Sequence, residues 1–455
     1  MKYELQNNRI VNGLLKADLG LFTPDAVKLR LSQDVLILVD PTRASGDLWP
    51  CLWFLASILE RQFFGNIFIR AKPSASLPAP TDLGPRCRFV PDGFAHNGLE
   101  IGLGISTSDD KRIWGDCRGG TITYRELADT VEQASPIACC ALAGYLGFAA
   151  LGEAAGVPPF HQTWTRSQVS LRLPKSMNLS AKEIGVLGLG QIGQAFLSLG
   201  FFLTPNGPIR VHLVDDDFFE SENYRSQLLI NEDATTWLDQ SKTAVISQLC
   251  SRWGWAVTQE RTRIDWGWKT PLSSSAVAFL GFDNMESRRV GVEGGFSWLV
   301  ECGVGTDFLK PRVSWHTLPP SRTLAHQLFP EPAVQAPLPP IETEFLRQLD
   351  ETPGGCGRVV YENIQATAPS LGALAAAFAW EELCNHFAGS TDVVAGGAYL
   401  WSPLQPIQRD LIPGDQQASR THLAASLQPN TNVRNNSPEM LEKALDAAES
   451  GALPL

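Results

Sequence analysis

One segment near the middle of the chain combines a strand, a glycine-rich turn, a helix and a second strand. Residues 184–187 form an apolar run that predicts a short buried strand, and the G-x-G-x-x-G turn 188–193 follows it at once. An apolar helical stretch comes next, and a second apolar run at 209–214 ends in three aspartates. Strand, tight turn, helix and strand in this order predict an α/β fold with a mostly parallel sheet.

The turn has the chemistry of a phosphate-binding loop. Gly188, Gly190 and Gly193 permit a tight turn and a close approach of the backbone to phosphate, and the helix that follows presents unpaired N–H groups. Asp215 lies about 20 residues past the last glycine, where an acid would hold a ribose hydroxyl. These features predict a Rossmann-like nucleotide site. They fit NAD as well as ATP, so a dinucleotide-dependent oxidoreductase is one alternative.

The residues after the second strand narrow the choice of nucleotide. They resemble the D-x-D-(x)5-N-x-x-R-Q signature of the ThiF/MoeB superfamily, the adenylating domains that activate ubiquitin and its relatives. Arg225 lies one place before the arginine of that signature, and Ser226 takes its position. The matching residues are Asp215, Asp217, Asn223 and Gln227.

The resemblance implies ATP and Mg²⁺ as the ligands and gives each residue a role. The glycine turn would face the phosphates, and Asp215 would hold the ribose with Asp217 close by. Asn223, Arg225 and Gln227 would project toward the phosphates from the segment beyond the second strand. The resemblance therefore implies that residues 188–227 form part of a nucleotide site.

Two further residues match the superfamily farther along the chain. Lys242, at the start of a predicted helix, corresponds to the phosphate-binding lysine of the family. Asp283 follows a predicted strand at 277–279 and corresponds to the aspartate that faces the metal and the phosphates. A solvent-facing lysine and a helix-capping aspartate are the structural alternatives.

A proline-rich connection at about 317–358 is predicted to be the crossover loop, and Cys356 lies near its end between glycines. In the superfamily a cysteine on such a loop attacks the acyl-adenylate and forms a thioester. Nearby Arg358 would favour the thiolate. Among nine cysteines we therefore select Cys356 as the candidate nucleophile.

The N-terminal part of the chain has a related order of elements without the glycine turn. Strands are predicted at 35–39 and 66–69, a helix between them at 51–63, and a small-residue helix from Ile137. This order resembles the inactive adenylation half of eukaryotic-type activating enzymes; an unrelated α/β domain is the alternative. On the family pattern, Arg9 would reach into the active half as a catalytic residue.

We therefore predict two Rossmann-like ThiF-type adenylation folds in one chain, the N-terminal one degenerate and the C-terminal one active. The predicted domains are 1–160, 161–400 with the crossover loop, and 401–455 as a C-terminal strand or tail with a terminal helix. The halves would pair within the chain as a pseudo-dimer or across a homodimer.

Composition limits the partners and the compartment. A formal charge of −11 over 455 residues argues against nucleic acid or an anionic membrane as the main partner. Scattered cysteines without C-x-x-C pairs and an N terminus without an apolar signal core predict a cytoplasmic protein without structural zinc. The apolar run 137–151 predicts a buried helix rather than a membrane span.

The predicted activity is ATP-dependent adenylation of a ubiquitin-like protein at its C-terminal glycine, followed by thioester formation on Cys356. The partners would be that protein and a conjugating-type enzyme. The resemblance is to activating enzymes of bacterial ubiquitin-like conjugation operons, some of which act in antiphage defence. A sulfur-carrier adenylyltransferase of the molybdopterin or thiamine type is a second candidate, and a non-catalytic scaffold that has retained the fold is a third.

Overall fold

The computed structural model of the chain describes most of two sheets and the helices that cover them. Residues 1–411 form one compact unit and residues 412–455 a second. The backbone, without side chains, is described for residues 393–399 and 408–412. The other described residues are 10–11, 14, 24–40, 42–44, 46–71, 77–105, 113–123, 132–156, 168–174, 179–180, 182–204, 209–305, 312–318, 325–326, 328–329 and 368–389.

The first sheet has seven strands in the order β3-β2-β1-β4-β5-β6-β7. The first five are parallel, and β6 and β7 are antiparallel to their neighbours. All five residues of β1 are buried, as expected for a central strand covered on both faces. The strands are β1 (Val35–Val39), β2 (Ile67–Arg70), β3 (Cys87–Phe89), β4 (Leu99–Leu103), β5 (Ile113–Arg118), β6 (Thr121–Thr123) and β7 (Gln168–Ser170).

Among the described residues, the helices with given bounds beside this sheet are α1 (Pro24–Leu31), α2 (Trp49–Gln62) and α3 (Pro136–Ala155). The start of α3 is fixed by the side chain of Ser135, which accepts a hydrogen bond from the amide of Ile137. Its end is fixed by Gly156, whose positive φ of 75° gives the left-handed C-terminal cap. We call β1–β7 with these helices the N-terminal half.

The second sheet has eight strands in the order β10-β9-β8-β11-β12-β13-β14-β15. Its strands β8 to β12 are parallel, and β13 and β14 are antiparallel to their neighbours. The strands are β8 (Glu183–Leu187), β9 (Arg210–Val214), β10 (Ala256–Glu260), β11 (Val277–Leu280), β12 (Trp298–Val304), β13 (Arg312–Leu318), β14 (Val393–Tyr399) and β15 (Gln408–Ile412).

In the part of the chain that the structure describes, the helices with given bounds beside the second sheet are α4 (Gln191–Leu203), α5 (Lys242–Arg252), α6 (Met285–Val292) and α7 (Pro369–Phe387). We call β8–β15 with these helices the C-terminal half. Its first seven strands repeat the order and direction of β1–β7. The observed architecture is therefore α/β, with two sheets of matching topology in one chain.

Long apolar helices pack the two halves against each other. A Cβ atom at Gly144 of α3 would meet the side chain of Leu374 and the carbonyl oxygen of Ser370, so the glycine permits α7 to pack close. The side-chain amide of Gln62 in α2 also donates to the hydroxyl of Ser370 over 2.7 Å. Burial of these helix faces joins the two halves in one large hydrophobic cluster, and a second, smaller cluster lies within the C-terminal half.

Several elements begin or end beside their predicted positions. The helix after the first glycines begins at Gln191, within the predicted turn 188–193, and Gly190 is the residue that caps it. The first sheet extends to Ser170, past the predicted domain boundary at residue 160. The domain boundaries themselves stay predictions. Most of the predicted crossover loop, with Cys356, and nearly all of 401–455 lie outside the described residues.

The apolar run 137–151 forms the middle of α3. By length and composition alone this 20-residue helix could cross a membrane. In the structure 94% of its most apolar window is buried inside the protein, against α2 and α7. The helix is thus a core element, as the sequence predicted, and it is longer than the predicted run.

Candidate functional site

The glycine turn connects β8 to α4 through three glycines with different local roles. Gly188 has a φ of +92°, a conformation that side chains with a Cβ rarely adopt. A Cβ at Gly193 would overlap the carbonyl oxygen of Gly188, so this position closes the turn against the helix. Around Gly190 the space is open. The turn therefore leaves one face accessible at the N terminus of α4, where the backbone amides favour an anion.

Asp215, the residue directly after β9, holds this turn through a hydrogen bond to its backbone. Its Oδ2 accepts a hydrogen bond from the amide of Leu189 over 2.6 Å, and its Oδ1 accepts one from the amide of Asp217 over 2.9 Å. Burial raises the pKa of this carboxyl group, while the charge of Lys242 acts in the opposite direction. Asp215 thus organises the loop, and its contact with a ribose stays a prediction.

Lys242 and Asp217 form an ion pair beside the turn. The Lys242 Nζ lies 2.7 Å from Oδ2 of Asp217. The side chain of Lys242 is almost buried, whereas 65% of the Asp217 side chain is exposed. The lysine is the first residue of α5. The structure therefore places its charge at the same end of the sheet as Asp215, whose pKa it influences.

A third carboxylate extends this cluster. Asp216 is exposed, and oxygen atoms of Asp215, Asp216 and Asp217 lie within 4.8 Å of one another. Hard oxygen ligands of this kind suit Mg²⁺. Asp216 was not among the residues predicted from the sequence, although its position between the two signature aspartates could have indicated it.

The segment after β9 forms a 3-10 turn, Ser221–Arg225, that is fixed by Asn223. The side-chain oxygen of Asn223 accepts a hydrogen bond from the amide of Glu220 over 3.1 Å. Its carbonyl oxygen accepts hydrogen bonds from the amides of Ser226 and Gln227. Asn223 is buried and shapes this segment. Whether it also contacts phosphate stays a prediction.

Arg225 lies against the N-terminal half. Its Nη1 donates to the carbonyl oxygens of Glu60 and Phe63 at the C terminus of α2, over 3.3 and 3.1 Å. Its guanidinium lies 4.5 Å from the ring centre of Phe64. These contacts hold the guanidinium at the end of α2, and its projection toward the phosphates stays a prediction.

Gln227 reaches the glycine turn through Gln194, a residue that was not predicted from the sequence. The side-chain oxygen of Gln227 accepts a hydrogen bond from Nε2 of Gln194, which also donates to the carbonyl oxygen of Leu189 over 3.0 Å. Gln194 lies fully buried on α4. A glutamine directly after the last glycine, in a mostly apolar helix, is the signal that could have identified it.

Asp283 lies three residues beyond the end of β11 and is exposed. It is the residue before Asn284, whose side chain caps α6 by accepting a hydrogen bond from the amide of Ser287 over 2.7 Å. The segment starts at Gly281, which packs against Gly188 of the glycine turn. Asp283 therefore follows the strand next to the turn, and its role as a metal ligand stays a prediction. Arg9 and Cys356 lie outside the described residues.

The corresponding loop of the N-terminal half is filled by its own side chains. After β1, the buried guanidinium of Arg43 lies 2.8 Å from Asp47 and 2.7 Å from Asp116 and donates to the carbonyl oxygen of Cys117. Burial would raise the pKa of Asp47, but its hydrogen bond with Arg43 lowers it. This loop is closed by a buried ion-pair network where the C-terminal half has an open glycine turn.

Comparison with known proteins gives matches to E1-like proteins. Residues 181–390 match the family model described as the BilD C-terminal domain. The chain is 28% identical over 214 residues to the bacterial E1-like protein BilD of Collimonas sp. (strain OK412). This alignment covers 46% of the chain and 45% of that protein, so the chain spans about half the length of the relative that it matches.

Solved structures of E. coli MccB are also similar in part. The complex with AMPCPP and selenomethionine MccA has a TM-score of 0.33 and 16% identity, over 51% of this chain and 64% of that chain. The complex with ATP has a TM-score of 0.34 and 14% identity, over 62% and 88%. The family match supports the ThiF/E1-like superfamily for residues 181–390, in agreement with the motif resemblance.

Proposed function

We propose that this protein is an ATP-dependent activating enzyme for a ubiquitin-like protein. It adenylates the C-terminal glycine carboxylate of that protein and then takes the acyl group onto Cys356. The observation that carries the proposal is the joint placement of the glycine turn, Asp215 and the Lys242–Asp217 pair at one end of the second sheet. The match of residues 181–390 to the BilD C-terminal domain supports it.

In the first reaction, an oxygen of the substrate carboxylate attacks the α-phosphorus of ATP. The bond from that phosphorus to the bridging oxygen of pyrophosphate breaks, and pyrophosphate leaves. The amides of the glycine turn at the N terminus of α4 bind phosphate oxygens, and Lys242 supplies a positive charge for the growing negative charge. These residues bind and orient the nucleotide, and none of them forms a covalent bond.

The carboxylates fit the hard metal ion that ATP chemistry requires. Asp215, Asp216 and Asp217 offer oxygen ligands, and Asp283 is the exposed carboxylate that the resemblance assigns to the metal. When bound, Mg²⁺ would neutralise phosphate charge. Asp283 would hold it on the resemblance, and Asp216 and Asp217 would offer further exposed oxygens, because Asp215 already accepts two backbone hydrogen bonds.

In the second reaction, the thiolate of Cys356 attacks the carbonyl carbon of the acyl-adenylate. A thioester forms, the bond to the phosphate oxygen breaks, and AMP leaves. Of the described cysteines, Cys302 and Cys384 are fully buried, and burial raises the pKa of both thiols. These core thiols are poor nucleophiles, and among the other described cysteines only Cys87 is partly exposed, with a pKa that burial also raises. Cys356 therefore stays the candidate that the resemblance gives.

The test is pyrophosphate exchange into ATP with ubiquitin-fold proteins ending in glycine that are encoded in neighbouring reading frames. The wild-type protein is expected to exchange in the presence of one of them and to form an adduct that thiols cleave. Cys356→Ser should retain exchange and lose that adduct, and Cys87→Ser should retain both. Binding of NAD without exchange would contradict the proposal, as would a thiol-cleavable adduct in Cys356→Ser.

A further inference from the structure

Arg61 of the N-terminal half binds backbone of the C-terminal half close to the nucleotide site. Its Nε donates to the carbonyl oxygen of Gln227 over 2.7 Å. Its Nη2 donates to the carbonyl oxygens of Leu228 and Ile230 over 3.1 and 2.7 Å. The side chain is 4% exposed and is anchored on α2 by a hydrogen bond from Nη1 to Ser57 O. One guanidinium thus holds three carbonyl groups of the other half.

The segment that Arg61 holds has no regular secondary structure. Residues 227–230 are buried but belong to no helix or strand, so their carbonyl groups need donors from elsewhere. A guanidinium suits this task because its N–H groups are fixed in one plane and point at several acceptors at once. A lysine could hold fewer of the three carbonyls. Arg61 is therefore the group that fixes the path of this segment.

The held segment is joined directly to the glycine turn. The amide of Leu229 donates to Oε1 of Gln194 over 3.0 Å, and Nε2 of Gln194 donates to Gln227 Oε1 and to the carbonyl oxygen of Leu189. The amide of Leu189 in turn donates to Asp215. A continuous set of hydrogen bonds therefore runs from α2 of the N-terminal half to the loop that faces the phosphates.

We propose that Arg61 is a positioning residue, through which the N-terminal half holds the nucleotide turn of the C-terminal half in its binding geometry. This inference rests on the proposed function, because it assigns the turn to ATP. A turn fixed before the ligand arrives loses little conformational freedom on binding, so its affinity is higher. The N-terminal half, whose own loop is closed by Arg43, then contributes to activity by ordering the other site.

The experiment measures MgATP binding by titration in the full-length chain, with thermal unfolding of every variant. Arg61→Met should raise the Kd for MgATP about 10-fold, an effect of the size seen for residues that couple two parts of a protein. Arg61→Lys should raise the Kd less, because a lysine still donates to some of the three carbonyl groups. Arg70→Met is the control, since Arg70 donates to a carbonyl oxygen within the N-terminal half only. It should bind MgATP as the wild-type protein does.

Two further measurements separate positioning from loss of the fold. In Arg61→Met, amide hydrogen exchange should become faster at 227–230 and at 188–194 but not in β1. Gln194→Met should weaken binding as well, and the double variant should lose less than the product of the two single effects, because both act on one set of contacts.

Unchanged MgATP affinity in Arg61→Met or Arg61→Lys would overturn the inference and leave the proposed function intact. Equal losses in Arg61→Met and Arg70→Met, or multiplying effects of Arg61→Met and Gln194→Met, would also overturn it. A wild-type protein that binds no MgATP would overturn the proposed function itself. The two failures are therefore distinguishable.

Discussion

Lys242 and Asp217 are joined twice, through their side chains and through their backbones. The ammonium group of Lys242 lies 2.7 Å from the Asp217 carboxylate, and the amide of Lys242 donates to the carbonyl oxygen of Asp217 over 3.1 Å. The backbone contact fixes the start of α5, whereas the ion pair involves a mostly exposed carboxylate. An exposed carboxylate is readily solvated by water when the pair opens, so the lysine can exchange this partner for a phosphate.

Replacement of Lys242 by methionine should therefore affect nucleotide binding more than stability. We expect Lys242→Met to raise the Kd for MgATP about 10-fold or more, since hydrogen bonds to charged groups contribute about 1.5–3 kcal/mol. The melting temperature should change little. Titration and thermal unfolding check both expectations. Lys269→Met, which removes an exposed lysine of the same half, is the control. Wild-type affinity in Lys242→Met would exclude the lysine as a phosphate ligand.

The glycine turn predicts opposite outcomes for two similar substitutions. Around Gly190 there is room for a Cβ, so Gly190→Ala should fold with a stability change within about 1 kcal/mol, yet weaken MgATP binding by occupying the space for phosphate. In Gly193→Ala the new Cβ overlaps the carbonyl oxygen of Gly188, and overpacking of this kind costs about 1–3 kcal/mol. Denaturant unfolding and titration separate the two. Full affinity in Gly190→Ala would contradict phosphate binding at this turn.

Local sequence patterns predicted much of the fold. The apolar run 35–39 is β1 with the expected bounds. An apolar run of five residues between polar residues has the length of a covered strand and is short for a buried helix. The strand–turn–helix–strand unit is also observed. It could be predicted because glycine turns and apolar periodicity depend only on residues that are close together in the sequence. The matching strand order of the two sheets rests on which strands pair, and the sequence only suggested it.

The contacts between the halves could not be predicted in the same way. Arg225 contacts carbonyl groups 162 and 165 positions earlier in the chain, and Arg61 contacts residues 166 to 169 positions later. Each of these arginines reads as a surface residue when only its neighbours in sequence are considered. Their roles follow from the packing of α2 against the C-terminal half.

An aromatic stack in the C-terminal half should contribute strongly to stability. Phe196 of α4 lies between Phe279 of β11 and Trp380 of α7, with ring centres 4.2 and 4.6 Å away and nearly parallel planes. Trp380→Ala should lower the free energy of unfolding by about 3–5 kcal/mol, the usual cost of removing a buried aromatic side chain. Trp266→Ala, at an exposed tryptophan, is the comparison and should cost far less. If Trp380→Ala and Trp266→Ala lost similar free energies of unfolding in denaturant, the stack would contribute no more to stability than an exposed tryptophan.

A buried carboxylate in the second sheet should make stability depend on pH in the acid range. Glu301 of β12 is fully buried, with Arg288 2.8 Å from Oε1 and His316 2.8 Å from Oε2. Burial alone would raise the pKa of Glu301, but Arg288 and His316 together lower it below its ordinary value of 4.5. The unfolded chain therefore takes up this proton first. The stabilisation from Glu301 is complete above pH 4.5 and is lost as the pH falls below that value toward the folded-state pKa.

We expect the free energy of unfolding of the wild-type protein to fall as the pH is lowered from 4.5, and Glu301→Gln to show a smaller fall. At pH 7 the variant should be less stable by about 3–5 kcal/mol, because Arg288 loses its buried partner. Denaturant unfolding at a series of pH values measures both effects. Glu286→Gln, at an exposed glutamate of α6, should keep the wild-type profile. If the free energy of unfolding of Glu301→Gln fell with pH in parallel with that of the wild-type protein, other carboxylates would account for the loss of stability in acid.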